Sequence, residues 1–206
     1  MAKIILFDFD GTLFNSKKLA AEMANEWEKN CHISLQVTES VFNNYSSSLT
    51  ASLDFNPEDF IISLSQETNV DREKIAAVLQ QEWLYQEAIF DQADKILVTL
   101  KKKYQLGIFS QGVGSWQKLK MEKSRLLPLF EQDLLFITRR KTTLEFLQTL
   151  PEDSVIIDDN LAVIEDLVKF GKFKVFWIDR YGNQQMNFKE VQRVTSLAEF
   201  VTKLEN

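Results

Sequence analysis

The sequence predicts an α/β protein: a Rossmann-like parallel sheet with helices on both faces, interrupted after its first strand by an all-helical insertion. Three observations carry this. A short apolar run, Ile4–Phe9, opens the chain and stops at the turn signal Asp10-Gly11-Thr12. Short apolar runs then alternate with helical stretches from about residue 92 to the end, the pattern of strands covered by helices. Between these regions, from Asn15 to about Phe90, no strand pattern occurs.

Each element has a local reason. Ile4–Phe9 is apolar on both faces, so it reads as a buried strand of a parallel sheet. Lys17–Lys29 spaces Leu19, Met23 and Trp27 at helical intervals. Asn56-Pro57-Glu58 begins a helix with a capping side chain and proline at the first helical position. Asp71 caps another, with Ile75, Val78, Leu79 and Trp83 expected on one face. Gln92–Lys103 is helical, Leu106–Phe109 a strand, 110–115 a loop and Trp116–Leu126 a helix. Leu134–Ile137 is a strand, and Leu144–Leu150 a helix stopped by Pro151. Val155–Ile157 is a strand ending at Asp158-Asp159-Asn160, and Leu161–Phe170 a helix closed by Gly171. Val175–Ile178 is a strand and Ser196–Leu204 the last helix. The implied layout is a core of 1–14 and 92–206 with a helical cap domain of 15–91. At 206 residues the chain has room for one such domain and its insertion.

Composition narrows the function classes. A net charge of −6 argues against a general nucleic-acid or anionic-membrane binder. The single cysteine, Cys31, excludes an intrachain disulfide and fits a reducing cytosol. The single histidine, His32, excludes multi-histidine metal sites within the chain. No apolar run reaches membrane-spanning length, and the first residues do not form a signal peptide. The expected setting is cytoplasmic, as a monomer or weak homodimer, with no nucleic acid and no membrane as partner.

In open α/β sheets ligands bind outside the carboxyl ends of the strands, so the residues at those ends matter most. The first strand ends in Asp8 and Asp10, the second in Ser110, and the strand at 155 in Asp158 and Asp159. The strand at 134 leads to Arg139, Arg140 and Lys141. In extended backbone, residues two apart point to one face, so Asp8 and Asp10 are expected to share a small volume with Asp158 and Asp159. Carboxylates that close cannot all ionise unaided. A divalent cation relieves them, and hard oxygen ligands suit Mg2+, which binds one or two carboxylates together with waters and substrate phosphate. With Lys141 nearby and one aspartate protonated, such a pocket is neutral and admits a phosphate dianion.

The heptapeptide Phe7-Asp8-Phe9-Asp10-Gly11-Thr12-Leu13 resembles the first motif of the haloacid dehalogenase superfamily. The order of the rest is similar too: a helical cap, a serine after the second strand, a lysine, then a paired-aspartate motif. The layout resembles that of phosphoglycolate-phosphatase-like members. The resemblance implies a magnesium-dependent phosphatase acting on a small phosphorylated metabolite. Asp8 would be the nucleophile that becomes an aspartyl-phosphate, and Asp10 the general acid, then base. Ser110, with Gln111, Gly112 and nearby backbone amides, would hold the phosphoryl oxygens. Lys141 would neutralise charge during transfer, with Arg140 as the competing positional match. The metal would take Asp8, the Asp10 carbonyl and Asp159, with Asp158 beside it. Asp158 stands where glycine is common in the family, and Val163 and Ile164 stand where a further acid is usual. Members that act as dehalogenases lack the second aspartate, which this chain has in Asp10. Alternatives are a phosphomutase of the same family, a non-catalytic protein that senses phosphate or docks a partner, and a receiver domain, which the insertion disfavours.

Overall fold

Residues 3–51, 54–182 and 188–205 are described by the computed structural model. Six strands form one parallel sheet: β1 (Ile4–Phe7), β2 (Gln105–Gln111), β3 (Leu135–Thr138), β4 (Val155–Asp158), β5 (Lys174–Ile178) and β6 (Gln192–Val194). Their order is β3-β2-β1-β4-β5-β6. The direction of winding reverses beside β1, and such a switch point is where a crevice opens at the strands' carboxyl ends. Leu6 lies opposite Gly107 on one side and Ile156 on the other. A Cβ at Gly107 would lie 2.6 Å from the Leu134 backbone oxygen and 2.7 Å from Leu6 Cδ2, so only glycine lets β2 pack there.

Alternation along the strands divides the core into two layers. Leu6, Phe109, Ile156, Val175 and Trp177 bury against Ile164 and Leu167 of α9 (Leu161–Phe170) and Leu147 of α8 (Leu144–Leu147). On the opposite face, Phe200 of α10 (Leu197–Glu205) meets Phe7 and Phe176 edge-on, with ring centroids 5.8 and 4.8 Å apart. Helix α6 (Ala93–Leu100) contacts α10 on that side. Both faces of the sheet are thus covered, which is why its strands are near-continuously apolar.

This core is one compact unit, formed by 1–15, 89–111 and 126–206; a second unit comprises 16–88 with 112–125. The second unit holds α1 (Ser16–Cys31), α2 (Leu35–Ser48), α3 (Pro57–Thr68), α4 (Arg72–Val78), α5 (Glu82–Glu87) and α7 (Gly114–Lys123). Asn56 caps α3 by accepting from the Glu58 amide, and Asp71 caps α4 through the Glu73 and Lys74 amides. The buried Trp27 indole donates to the Ile75 carbonyl at 3.0 Å, and Tyr85 hydroxyl to the Leu79 carbonyl at 2.9 Å. Phe42, Tyr45, Phe55 and Phe60 form an aromatic cluster. Among the described residues no helix is long and apolar enough to cross a membrane.

Several local expectations need correction. Trp83 does not share the buried face of Ile75, Val78 and Leu79: the chain turns after Val78, and Trp83 is 44% exposed on the separate helix α5. The strand expected over Leu106–Phe109 runs to Gln111, so Ser110 and Gln111 lie in the strand and not in a loop. The helix expected over Leu144–Leu150 is regular only to Leu147. Strand β6 was not expected, because three residues reading Gln-Arg-Val carry no periodic signal. By contrast α9 has the expected bounds, with Gly171 closing it at φ +76°.

Candidate active site

The amide of Asp8 donates to the Ile157 carbonyl at 2.9 Å, which carries the β1–β4 pairing one residue past the strand and fixes Asp8 at the switch point. The chain then makes a tight turn. Leu13 and Phe14 amides both donate to the Phe9 carbonyl at 2.9 Å, and the Gly11 amide donates to the Phe14 carbonyl at 2.8 Å. Gly11 has φ +89°, and a Cβ there would lie 2.1 Å from Asp159 Oδ2. Glycine is therefore required twice, for its backbone angle and for the carboxylate against it.

Lys141 comes from the loop after β3, and its ammonium is buried. It donates to Asp8 Oδ1 at 2.6 Å, to Asp158 Oδ2 at 2.5 Å and to the Phe109 carbonyl at 3.3 Å. Its neighbour Arg140 is exposed and donates to the Arg139 carbonyl. Burial disfavours the Lys141 ammonium, but Asp158 and Asp8 outweigh it and hold its pKa above the ordinary lysine range. Burial pushes Asp8 well above the usual carboxylate range against the pull of Lys141, and Asp158 and Asp159 push it further.

The carboxylates of Asp8, Asp158 and Asp159 offer ligand oxygens all within 4.8 Å of one another. The three differ in what already holds them. Asp158 accepts from Lys141 through one oxygen and from the Asn160 amide, at 2.9 Å, through the other. Asp159 has its backbone carbonyl held by the Trp177 indole N–H at 3.1 Å. Its pKa is raised to about 6, by burial first and then by Asp158, with Asp10 adding to the effect. Asp8 Oδ2 is buried and without a hydrogen-bond partner. Leaving such an atom unmatched costs roughly 1–3 kcal/mol or more for a charged group, so an oxygen-seeking cation suits it. The donor set, hard carboxylate oxygens from Asp8 and Asp159, fits Mg2+.

Ser110, buried near the end of β2, also has an unpartnered hydroxyl, as does Thr12. Asp10 is half-buried on the turn, and its carboxylate is not one of the three clustered. Strand β1 ends at Phe7, so Asp10 follows on the turn, near enough for its charge to raise the Asp159 pKa. Gln111 ends β2, and Gly112, at φ +139°, belongs with the second unit. Val163 and Ile164 are buried core residues of α9, so no acid enters the site from there.

Trp177 was not singled out from sequence, nor was Arg180. Both belong to β5 or its end, and asking what stands at the tip of every strand would have found Asp179 and Arg180.

The sequence matches the family described as haloacid dehalogenase-like hydrolase over residues 5–167. The chain belongs to this family. That span takes in the Asp8 turn, Ser110, Lys141 and the aspartate pair, and the Asp8–Asp158–Asp159 cluster is consistent with a phosphatase active site. No curated protein matches the chain. Solved structures of similar fold include a HAD phosphatase from Thermococcus onnurineus, with 22% identity, TM-score 0.64 and coverage of 99% of this chain and 98% of that one. YfnB of Bacillus subtilis, assigned as a HAD-hydrolase and bound to magnesium, has 14% identity and TM-score 0.62, covering 100% and 99%. The L-2-haloacid dehalogenase of Xanthobacter autotrophicus has 15% identity and TM-score 0.61, covering 100% and 99%. A phosphatase and a dehalogenase on one fold mean that side chains at the site, not the architecture, decide the reaction of this hydrolase.

Proposed function

We propose that this hydrolase is a magnesium-dependent phosphatase acting on a small phosphorylated metabolite through an aspartyl-phosphate. The observation that carries the reading is the buried Asp8–Lys141–Asp158 constellation, with Asp159 in ligand reach and with Asp8 Oδ2 and Ser110 Oγ unpartnered. Asp8 and Asp159 would hold the metal, with the Asp10 carbonyl, and Asp158 would stand beside it holding Lys141. Bound magnesium supplies positive charge that lets an anionic phosphate approach the aspartates.

The rest falls to the chain. An Asp8 oxygen forms a bond to phosphorus while the bond from phosphorus to the leaving oxygen breaks. Asp10 gives its proton to that leaving oxygen, then takes one from the water that cleaves the acyl-phosphate. Lys141 orients Asp8 and favours its ionised form against the burial that opposes its charge. The Ser110 hydroxyl, with the amides of Gln111 and Gly112, donates to the phosphoryl oxygens. Asp10 favours phosphate over halide chemistry, since expulsion of an alkoxide calls for an acid and expulsion of a halide does not. A helical domain over 15–91, laid out as in phosphoglycolate-phosphatase-like members, would limit substrates to small molecules. The same reading puts the protein in the cytoplasm as a monomer or weak dimer.

A phosphate-release screen over phosphorylated sugars, nucleotides and short organic acids, with and without magnesium, tests the proposal. Turnover should need the metal, stop with chelator and vanish in Asp8→Asn. Phosphate binding with no turnover of any phosphoester would instead mark a sensor, and transfer between hydroxyls without net release a phosphomutase.

A further inference from the structure

The turn that carries Asp10 is held by a residue far away in sequence. Arg180 follows β5 by two positions, and its side chain is nine-tenths buried. All three guanidinium nitrogens are engaged: Nε donates to the Gly11 carbonyl at 3.0 Å, Nη2 to the Thr12 carbonyl, and Nη1 pairs with Asp91 Oδ2. The guanidinium carbon, Cζ, also lies 4.0 Å from the Phe90 ring centre. Asp91 in turn accepts from the Leu197 amide at 3.4 Å. Asp91 and Gln92 both adopt left-handed backbone, at φ +48° and +56°, a conformation that L residues other than glycine keep only when their surroundings enforce it. Phe14 pairs with Asp10 and with Ile89, and the Phe90 amide donates to Leu13 at 2.9 Å. The turn at 9–14 and the returning segment at 89–91 are thus joined to each other, and Arg180 joins both to the C-terminal end of β5.

This geometry has a consequence for Asp10. The turn's own hydrogen bonds, from Gly11, Leu13 and Phe14, fix its shape but leave the carbonyls of Gly11 and Thr12 to be satisfied from outside. A fork that reads two consecutive carbonyls fixes the tilt of the turn, which a single point charge cannot do. Tilt decides where Asp10 stands relative to Asp8 and keeps the Gly11 backbone against Asp159. We propose that Arg180 is a positioning residue, set by Asp91, that orients the Asp10–Thr12 turn for proton transfer. The catalytic half of this inference rests on the phosphatase reading; the structural half does not.

Two measurements on Arg180→Gln, Arg180→Lys and Asp91→Asn keep those halves apart. Hydrogen exchange by mass spectrometry should show residues 9–14 of Arg180→Gln exchanging about ten-fold faster or more, with β1 and β4 as protected as in the parent. With 4-nitrophenyl phosphate and magnesium, kcat should fall roughly 10–100-fold while KM changes less than about two-fold, as expected of misplaced chemistry and not of lost binding. Arg180→Lys should recover only part of either effect, and Asp91→Asn should show a smaller change of the same kind. Asp91→Asn also keeps the test alive if Arg180→Gln does not fold. Unchanged exchange at 9–14, or a rise shared equally by β1 and β4, overturns the proposal, as does a rise in KM at constant kcat. If the parent protein turns over neither 4-nitrophenyl phosphate nor any phosphoester of the screen above, the phosphatase reading falls and the exchange result alone decides the role of Arg180; if only a screened ester is turned over, kcat and KM are read with that ester.

Discussion

Replacing Lys141 by Met removes the only cation that the described residues place on Asp8 and Asp158, and it keeps the stem's packing against Phe109, whose ring centre lies 4.8 Å from the ammonium. Two buried carboxylates would then face each other with Asp159 beside them. Breaking a buried pair from one side costs roughly 3–5 kcal/mol, or about 6–20 °C in Tm for a chain of this length. The loss should depend on pH, and its sign follows from Asp8. Its folded pKa already stands well above the unfolded value of 3.8, and losing Lys141 raises it further. Between the unfolded and folded values the native state holds a proton that the unfolded chain releases. Stability of Lys141→Met relative to the parent should therefore recover as pH falls, by up to about 1.4 kcal/mol per unit. Magnesium should offset the same repulsion, so its stabilising effect at neutral pH should be larger in the variant than in the parent. Thermal unfolding at pH 5, 6.5 and 8, with and without magnesium, measures all three effects. A pH-independent loss under about 1 kcal/mol would show that Lys141 does not neutralise these aspartates.

Three further outcomes follow from the same site. Gly11→Ala forces a Cβ to 2.1 Å from Asp159 Oδ2 at φ +89°, so it should cost roughly 1–3 kcal/mol of stability and weaken magnesium binding at least about ten-fold by calorimetry; an unchanged affinity would separate Asp159 from the metal. Because burial and the neighbouring Asp158 push the Asp159 carboxyl up to about 6, its proton competes with the cation. Magnesium affinity should fall as pH drops through that value, by about ten-fold per unit or more because Asp8 also takes up a proton, and Asp159→Asn should make the dependence shallower while removing most of the binding. Trp177→Phe keeps a buried ring but loses the donor to the Asp159 carbonyl; a several-fold weaker magnesium affinity is expected from that lost orientation, beside a stability cost of about 1 kcal/mol.

The parts of the site that were legible in the sequence are those that local pattern specifies. An apolar run that ends in Asp8, a glycine at the turn and a second apolar run that ends in Asp158 place these groups at strand tips whatever the rest of the chain does, because alternation and turn chemistry act over a few residues. Caps at Asn56, Asp71 and Gly171 were readable for the same reason. The departure at Trp83 shows where that reasoning stops: helical spacing continued through 72–83 on paper, while the packing of the second unit bends the chain after Val78.

By itself, then, the sequence determined the order of strands and helices and which acids stand at the sheet's carboxyl edge. The tertiary structure decided that Lys141 and not Arg140 enters the site, that Asp159 joins Asp8 and Asp158 while Asp10 stays on the turn, and that Arg180 grips carbonyls 168 and 169 positions away. These choices depend on distances between segments that meet only when the sheet closes, and no spacing along the chain encodes a contact whose partners are set by the packing of everything between them.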